Sequence, residues 1–142
     1  MNYLLDTCVV SELTKSIPEP TVVKWIDSIE EDKLYLSVIT IGELEKGIAK
    51  LMSSKRKSKI KEWFHEDLLI RFNKRILILN IDIFLQWGTL TASLEKKGIK
   101  LPTIDSLIAA TALIHNLCLV TRNEKNFRNC EIKILNPWKL KL

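Results

Sequence analysis

Short apolar runs, separated by much longer stretches of helical periodicity, restrict this chain to few folds. Tyr3-Leu4-Leu5 stops at Asp6-Thr7, Leu34 to Val38 is β-prone, and Cys118-Leu119-Val120 stops at Thr121. Arg75 to Leu79 and Ile132 to Leu135 add two more predicted strands, the last halted by Asn136-Pro137-Trp138. Strands joined through helices lie parallel, because a parallel pair needs a crossover connection. The pattern predicts an α/β fold: a three-layer α/β/α domain whose helices cover a mostly parallel central sheet.

The intervening stretches read as helices. Cys8 to Leu13 begins a short one. After Pro20, the residues Val22, Val23, Trp25, Ile26 and Ile29 recur at helical spacing, with Asp27, Glu30 and Glu31 opposite. Thr40 is expected to cap the next helix, with Glu43 three residues on in a capping box and Ile41, Leu44, Ile48 and Leu51 as its apolar stripe. Gly42 and Gly47 weaken that helix and point to close packing or ligand approach. Ile60, Trp63, Phe64, Leu68 and Phe72 mark another amphipathic stretch, and Asp82 opens a helix that Gly98 ends. Thr103 caps Ile104 to His115, which is apolar nearly all round and so belongs at the centre of the fold.

A chain of 142 residues suits a single domain spanning 1–142. The first residues lack a basic leader, and no apolar run approaches the roughly 20 residues of a membrane span, so a cytoplasmic location with no membrane partner is expected. Cys8, Cys118 and Cys130 have neither disulfide-scaffold nor metal-ligand spacing; Cys8 and Cys118 read as small core residues. His65 and His115 are too isolated for a zinc site, and no glycine-rich phosphate loop is present. The net charge of +5 suits a polyanionic partner. Its lysines are concentrated from Lys50 to Lys61 and at Lys96, Lys97 and Lys100.

In parallel sheets, functional residues gather at the carboxyl ends of strands. That rule selects Asp6-Thr7, Thr40 to Glu43 and Thr121 to Asn123, while Asp105 stands at the start of the alanine-rich helix. Each acid has a structural explanation by itself, as a cap or a helix-terminal charge. Brought together, Asp6, Glu43 and Asp105 would repel one another unless a cation joined them. Oxygen ligands favour Mg²⁺ or Mn²⁺ over zinc. Such a metal serves phosphodiester cleavage, with lysines attracting the nucleic-acid backbone.

Leu4 to Glu12, with Asp6-Thr7 and Ser11, and Ser37 to Leu44, with Thr40 and Glu43, resemble the first two motifs of the PIN-domain family. Asp105 to Ala112 resembles the third, Leu119 to Phe127 the fourth, and Asn136-Pro137-Trp138 resembles the close of its VapC-type, FitB-like toxins. The resemblance implies a Mg²⁺-dependent (or Mn²⁺-dependent) endoribonuclease, the toxin of a type II toxin–antitoxin pair. It implies a homodimer, an antitoxin partner, RNA as substrate, and contact with operator DNA only through the antitoxin.

Carried onto this chain, the resemblance makes Asp6, Glu43 and Asp105 the metal ligands. Thr7, Ser11 and Thr121 become supporting polar groups. The fourth motif departs from the acidic pattern, with Asn123 and Asn126 where relatives place an aspartate. Asn123 is therefore expected to back the site as an amide, and one ion is expected rather than two. Glu12 is expected either to assist through water or to lie on a helix surface. Lys46, Lys50 and Arg122 are candidate nucleic-acid contacts. Trp25, Ile48, Leu51, Trp63 and Phe64 are expected at the dimer face. Two other readings fit the same residues: an inactive PIN-fold module acting in an antitoxin–DNA complex, and a metal-dependent DNase.

Overall fold

The computed structural model describes residues 1–141. Five strands form a sheet: β1 (Tyr3–Leu5), β2 (Leu34–Ser37), β3 (Ile76–Leu77), β4 (Cys118–Val120) and β5 (Ile134–Leu135). Their order is β3-β2-β1-β4-β5, and every neighbouring pair is parallel. The expected architecture is therefore the observed one, with β3 and β5 shorter than the apolar runs suggested. Chain order runs outward from β1 through β2 to β3, then returns to place β4 on the other side of β1. That reversal makes β1 and β4 the topological switch point, where a crevice opens at the strands' carboxyl ends.

Strand pleating divides the core in two. Leu5, Val120, Leu34 and Leu36 point to one face, against α1 (Thr7–Glu12), α2 (Pro20–Ser28), α3 (Val38–Ala49) and the segment from Lys55 to Phe72. Leu4 and Leu119 point to the other, where they meet α6 (Ile81–Lys96) and α7 (Thr103–His115). In α7 every residue from Ser106 to Ala112 is buried, as its all-round apolar pattern requires. The Lys55–Phe72 segment is interrupted: α4 (Lys55–Trp63) passes through a π-helical turn at Phe64–Leu68 into the short α5 (Leu69–Arg71). Gly98 adopts φ +74 just beyond α6, where its amide and that of Ile99 return to Glu95 and Leu94 oxygens.

Several local expectations are corrected. Ser37, not Thr40, caps α3: its hydroxyl accepts from Ile39 N at 3.1 Å, and the helix begins at Val38. Thr40 lies a turn inside the helix and is fully buried. This moves Glu43 out of a capping box and frees its carboxylate for other contacts. Thr103 does not cap α7; Pro102 holds that position, and Asp105 remains in the first turn.

Glu12 is not on the helix surface. It is 5% exposed, paired with Lys15 at 2.9 Å and accepting the Glu19 amide at 3.0 Å. Trp25, Ile48 and Phe64 belong to the chain's own core, and Leu51 and Trp63 are half-buried, so the expected dimer residues are largely spent within the chain. Exposed apolar side chains are scattered, as at Ile17, Met52 and Ile70, but four gather around the start of α6, at Ile78, Ile81, Phe84 and Leu85.

Replacing Ser37 with alanine removes a buried cap and should lower stability by about 1 kcal/mol. The measurement is the urea midpoint against wild type, at unchanged slope.

Candidate active site

Asp6 immediately follows β1, and its amide donates to Val120 O of β4 at 2.9 Å, which seats it at the switch point. One carboxylate oxygen accepts from the Thr7 amide at 2.9 Å, so Asp6 also caps α1. The other accepts from the Thr121 hydroxyl at 2.8 Å, with the Cys8 thiol 3.8 Å away. Asp6 is 7% exposed and Thr121 is wholly buried. Burial is the main reason that the Asp6 pKa is raised above its ordinary value, and the charges of Asp105 and Glu43 push the same way. The Thr121 hydroxyl and Thr7 amide oppose this without cancelling it.

Glu43 reaches the same region from the second turn of α3. The Thr7 hydroxyl lies 2.5 Å from Glu43 Oε1 and 3.3 Å from the Thr40 hydroxyl; having one proton, it donates to the carboxylate. Asp105 stands in the first turn of α7, where Asn126 of α8 (Glu124–Phe127) donates its side-chain amide to Asp105 Oδ2 at 2.9 Å. Thus each acid has one oxygen held by a neutral donor from another element. Glu43 Oε2 and Asp105 Oδ1 make no hydrogen bond among the described residues.

None of the three acids has a Lys, Arg or His partner within 4.0 Å among the described residues, although acids elsewhere do. Three mutually repelling carboxylates, one of them buried and lacking a cation, form an oxygen donor set suited to Mg²⁺. They do not close into a compact cage: among the described residues no group of three His, Cys, Asp or Glu stands ready to hold an ion. That openness suits Mg²⁺, which keeps several waters and uses one or two carboxylates.

The other expected residues divide around this centre. Thr121 Oγ1 also accepts the Asn123 amide at 3.0 Å, while the Asn123 side chain is exposed and makes no hydrogen bond among the described residues. Ser11 does not join the hydrogen bonds of the acids; it lines a cavity of about 190 Å³ beside Glu43. Lys46 and Lys50 line another of about 500 Å³ with Glu43 and Ile104. Gly42 and Gly47 border it, and a Cβ at either would meet nothing within 4 Å, so close packing within the chain is not their role. His65 and His115 are exposed and distant in role: His65 sits 3.4 Å from Glu45, and His115 ends α7.

Sequence reading missed three neighbours of the centre: Asn126 as the support of Asp105, Thr40 as a partner of Thr7, and Cys8 beside Asp6. Only Asn126 carried a signal, being one turn beyond Asn123. Among the described residues no helix is long and apolar enough to cross a membrane.

Comparison with known proteins bears on this centre. The PIN domain family model matches residues 3–133. The chain is 34% identical over 135 residues to the toxin FitB of Neisseria gonorrhoeae, covering 95% of this chain and 97% of that protein. It is also 34% identical to the VapC ribonuclease Y4jK of Sinorhizobium fredii, covering 95% and 96%. Among solved structures, FitAB bound to an IR36 DNA fragment superposes with a TM-score of 0.93 at 32% identity, over 99% of this chain and 98% of that one.

The raised pKa of Asp6 has a consequence for stability without metal. The folded protein holds that proton more tightly than the unfolded chain. Stability should therefore fall as pH climbs from the ordinary carboxylate value through the elevated one. Asp6→Asn should remove that slope and melt higher than wild type in EDTA at neutral pH. Mg²⁺ should then raise the melting temperature of wild type but not of the variant. Thermal melts by circular dichroism provide the check.

Proposed function

The chain belongs to the PIN-domain family, among its VapC- and FitB-type toxins, and on that premise we propose that it is a Mg²⁺- or Mn²⁺-dependent endoribonuclease, the toxin of a toxin–antitoxin pair. The observation that carries this reading is the buried Asp6 carboxylate, anchored by Thr121 and in electrostatic reach of Asp105 and Glu43, with no protein cation beside it. Residues 1–142 act as one nuclease unit in the cytoplasm, restrained by an antitoxin through which operator DNA is contacted.

Asp6, Asp105 and Glu43 would hold one divalent ion. A Mg²⁺ ion held there would supply acidification of a water and neutralisation of charge on the phosphoryl oxygens. The chain's own groups orient the rest. Thr121 and the Thr7 amide fix the Asp6 carboxylate, the Thr7 hydroxyl turns Glu43, and the Asn126 amide turns Asp105. Hydrolysis requires the attacking water to lose a proton, and Glu43 Oε2, which Thr7 leaves unbonded, supports Glu43 as a candidate acceptor alongside Asp6 and Asp105. Asn123 supplies an uncharged oxygen at the rim, which leaves the centre one negative charge poorer than a four-acid site. Lys46, Lys50 and Arg122, exposed on either side, attract phosphates.

One observation favours a second reading. Asn123 in place of an acid suits a module that keeps the fold and its antitoxin contacts but turns over slowly or not at all.

Single-stranded RNA should be cut with Mg²⁺ and spared with EDTA, and DNA of the same sequence should be spared in both. Thr121→Val should slow cleavage by roughly 10–100-fold, the usual cost of a supporting contact, and Asp6→Ala by more. Gel assays on folded, antitoxin-free protein decide between the readings. Cleavage that survives both EDTA and Asp6→Ala overturns the mechanism, RNA binding without turnover points to the inactive module, and DNA cleavage to a DNase.

The homodimer is proposed to form across Ile81, Phe84 and Leu85, which share one face of α6 and are 78%, 47% and 66% exposed. Leu85→Glu should convert a dimer to a monomer in analytical ultracentrifugation while leaving the melting temperature little changed.

A further inference from the structure

A cavity of about 740 Å³ opens on the α8 side, lined by Arg122, Asn123, Lys125, Arg128, Trp138 and Lys139 among others and by none of the three acids. It reaches the centre through Asn126, whose amide holds Asp105. Its walls come from the turn after β4, from α8, and from the 3₁₀ turn at Pro137–Lys139.

The charges there are unevenly satisfied. Glu124 is taken up by Lys139 at 2.6 Å and by the Asn136 amide at 3.0 Å. That pair also ties the closing turn to α8. Arg122, Lys125 and Arg128 have no carboxylate within 4.0 Å among the described residues, and all three are exposed. Three cations without a direct ion pair line one cavity; Arg122 and Arg128 still feel Glu12 and Glu124 at longer range, but the group as a whole attracts a polyanion.

The Arg122 guanidinium is held in place. Its carbon lies 5.2 Å from the centroid of the Trp138 ring, a cation–π distance. Trp138 is half-buried against the core, and the Asn136 side chain accepts its backbone amide at 3.0 Å. Tryptophan thus acts as the fixed plate and arginine as the outer layer. A guanidinium over an indole can still offer donors to a phosphate and, where it stacks, a free face to an unstacked base.

We propose that this cavity is the subsite for the single-stranded RNA flanking the cut bond, with Arg122 as its specificity-determining contact and Trp138 as the residue that positions Arg122. The proposal rests on the ribonuclease reading and extends it to where the substrate lies. Most of the lining residues are polar or cationic in type, while their stems together with Ile134 and Trp138 give the wall an equal share of apolar surface. Cations beside an aromatic ring suit a nucleic-acid strand, with charges for its phosphates and apolar surface for its bases.

The test uses the full-length chain and a fluorescein-labelled single-stranded RNA of mixed sequence. Binding is read by anisotropy on an Asp6→Asn background, and cleavage sites by end mapping on the active protein. Arg122→Ala should weaken binding by roughly five- to tenfold and reduce the salt dependence by about one phosphate contact. Arg122→Lys should recover the salt dependence but not the cleavage-site preference, because lysine has no plane to present. Trp138→Phe, which keeps a ring in the core, should raise KM more than it lowers kcat and should broaden site choice.

Unchanged binding and an unchanged cleavage map in Arg122→Ala would overturn the subsite while leaving the ribonuclease reading intact. Arg122-dependent RNA binding by a protein that never cleaves would uphold the subsite and overturn that reading. If a polyglutamate peptide binds through Arg122 and the RNA does not, the cavity is a protein-docking surface and the proposal fails.

Discussion

Much of this molecule depends on one hydrogen bond, from the buried Thr121 hydroxyl to the buried Asp6 carboxylate. It ties the residue after β1 to the residue after β4, at the point where the sheet reverses its direction of growth. A carboxylate so enclosed is costly, and neutral donors lower that cost without removing it. The remaining deficit is what a divalent cation would relieve. Asp105 and Glu43 deepen the deficit, since both raise the Asp6 pKa instead of compensating its charge. The site is therefore built under electrostatic strain that its own side chains leave unresolved.

Around that centre the fold supplies one neutral support for each acid, and each support comes from a different element. Thr7 of α1 holds Glu43 of α3, Thr121 after β4 holds Asp6 after β1, and Asn126 of α8 holds Asp105 of α7. Such cross-linking fixes carboxylate orientation without adding positive charge that would compete with a metal. It also accounts for one amide of the fourth motif in physical terms, while nothing in the structure explains the side-chain amide of Asn123. Asn126 donates to Asp105, which an aspartate there would do only if protonated. Cations are kept at the rim, on the α3 side as Lys46 and Lys50 and on the α8 side as Arg122, Lys125 and Arg128.

The elements were legible where periodicity is strong. β1, β4, the all-round apolar α7 and the amphipathic α2 follow directly from the spacing of apolar residues, and parallel pairing follows from strands that alternate with helices. Caps were less legible. Thr40-to-Glu43 spacing matches a capping box, yet the cap falls at Ser37, three residues earlier, because β2 ends at Ser37 and the helix begins at once with Val38. Burial was less legible still. Trp25 and Phe64 read as surplus apolar surface, but the sheet face they cover extends through α4 and the π-turn. Glu12 looked like surface, and its burial depends on Lys15 and on the Glu19 backbone folding over it.

The three acids that opened the functional reading were visible as residues ending strands or starting a helix, and their family resemblance was visible as ordered motifs. By itself, then, the amino-acid sequence determined the alternation of elements, the parallel sheet, and which acids lie at its carboxyl edge, because those properties follow from local periodicity and chain order. Tertiary structure alone decided which neutral donor holds each carboxylate. It also decided that, among the described residues, no lysine or arginine pairs with Asp6, and that Arg122 sits over the Trp138 ring. These are contacts between residues as far apart as 115 positions, and no local pattern encodes a pairing that only packing brings within 3 Å.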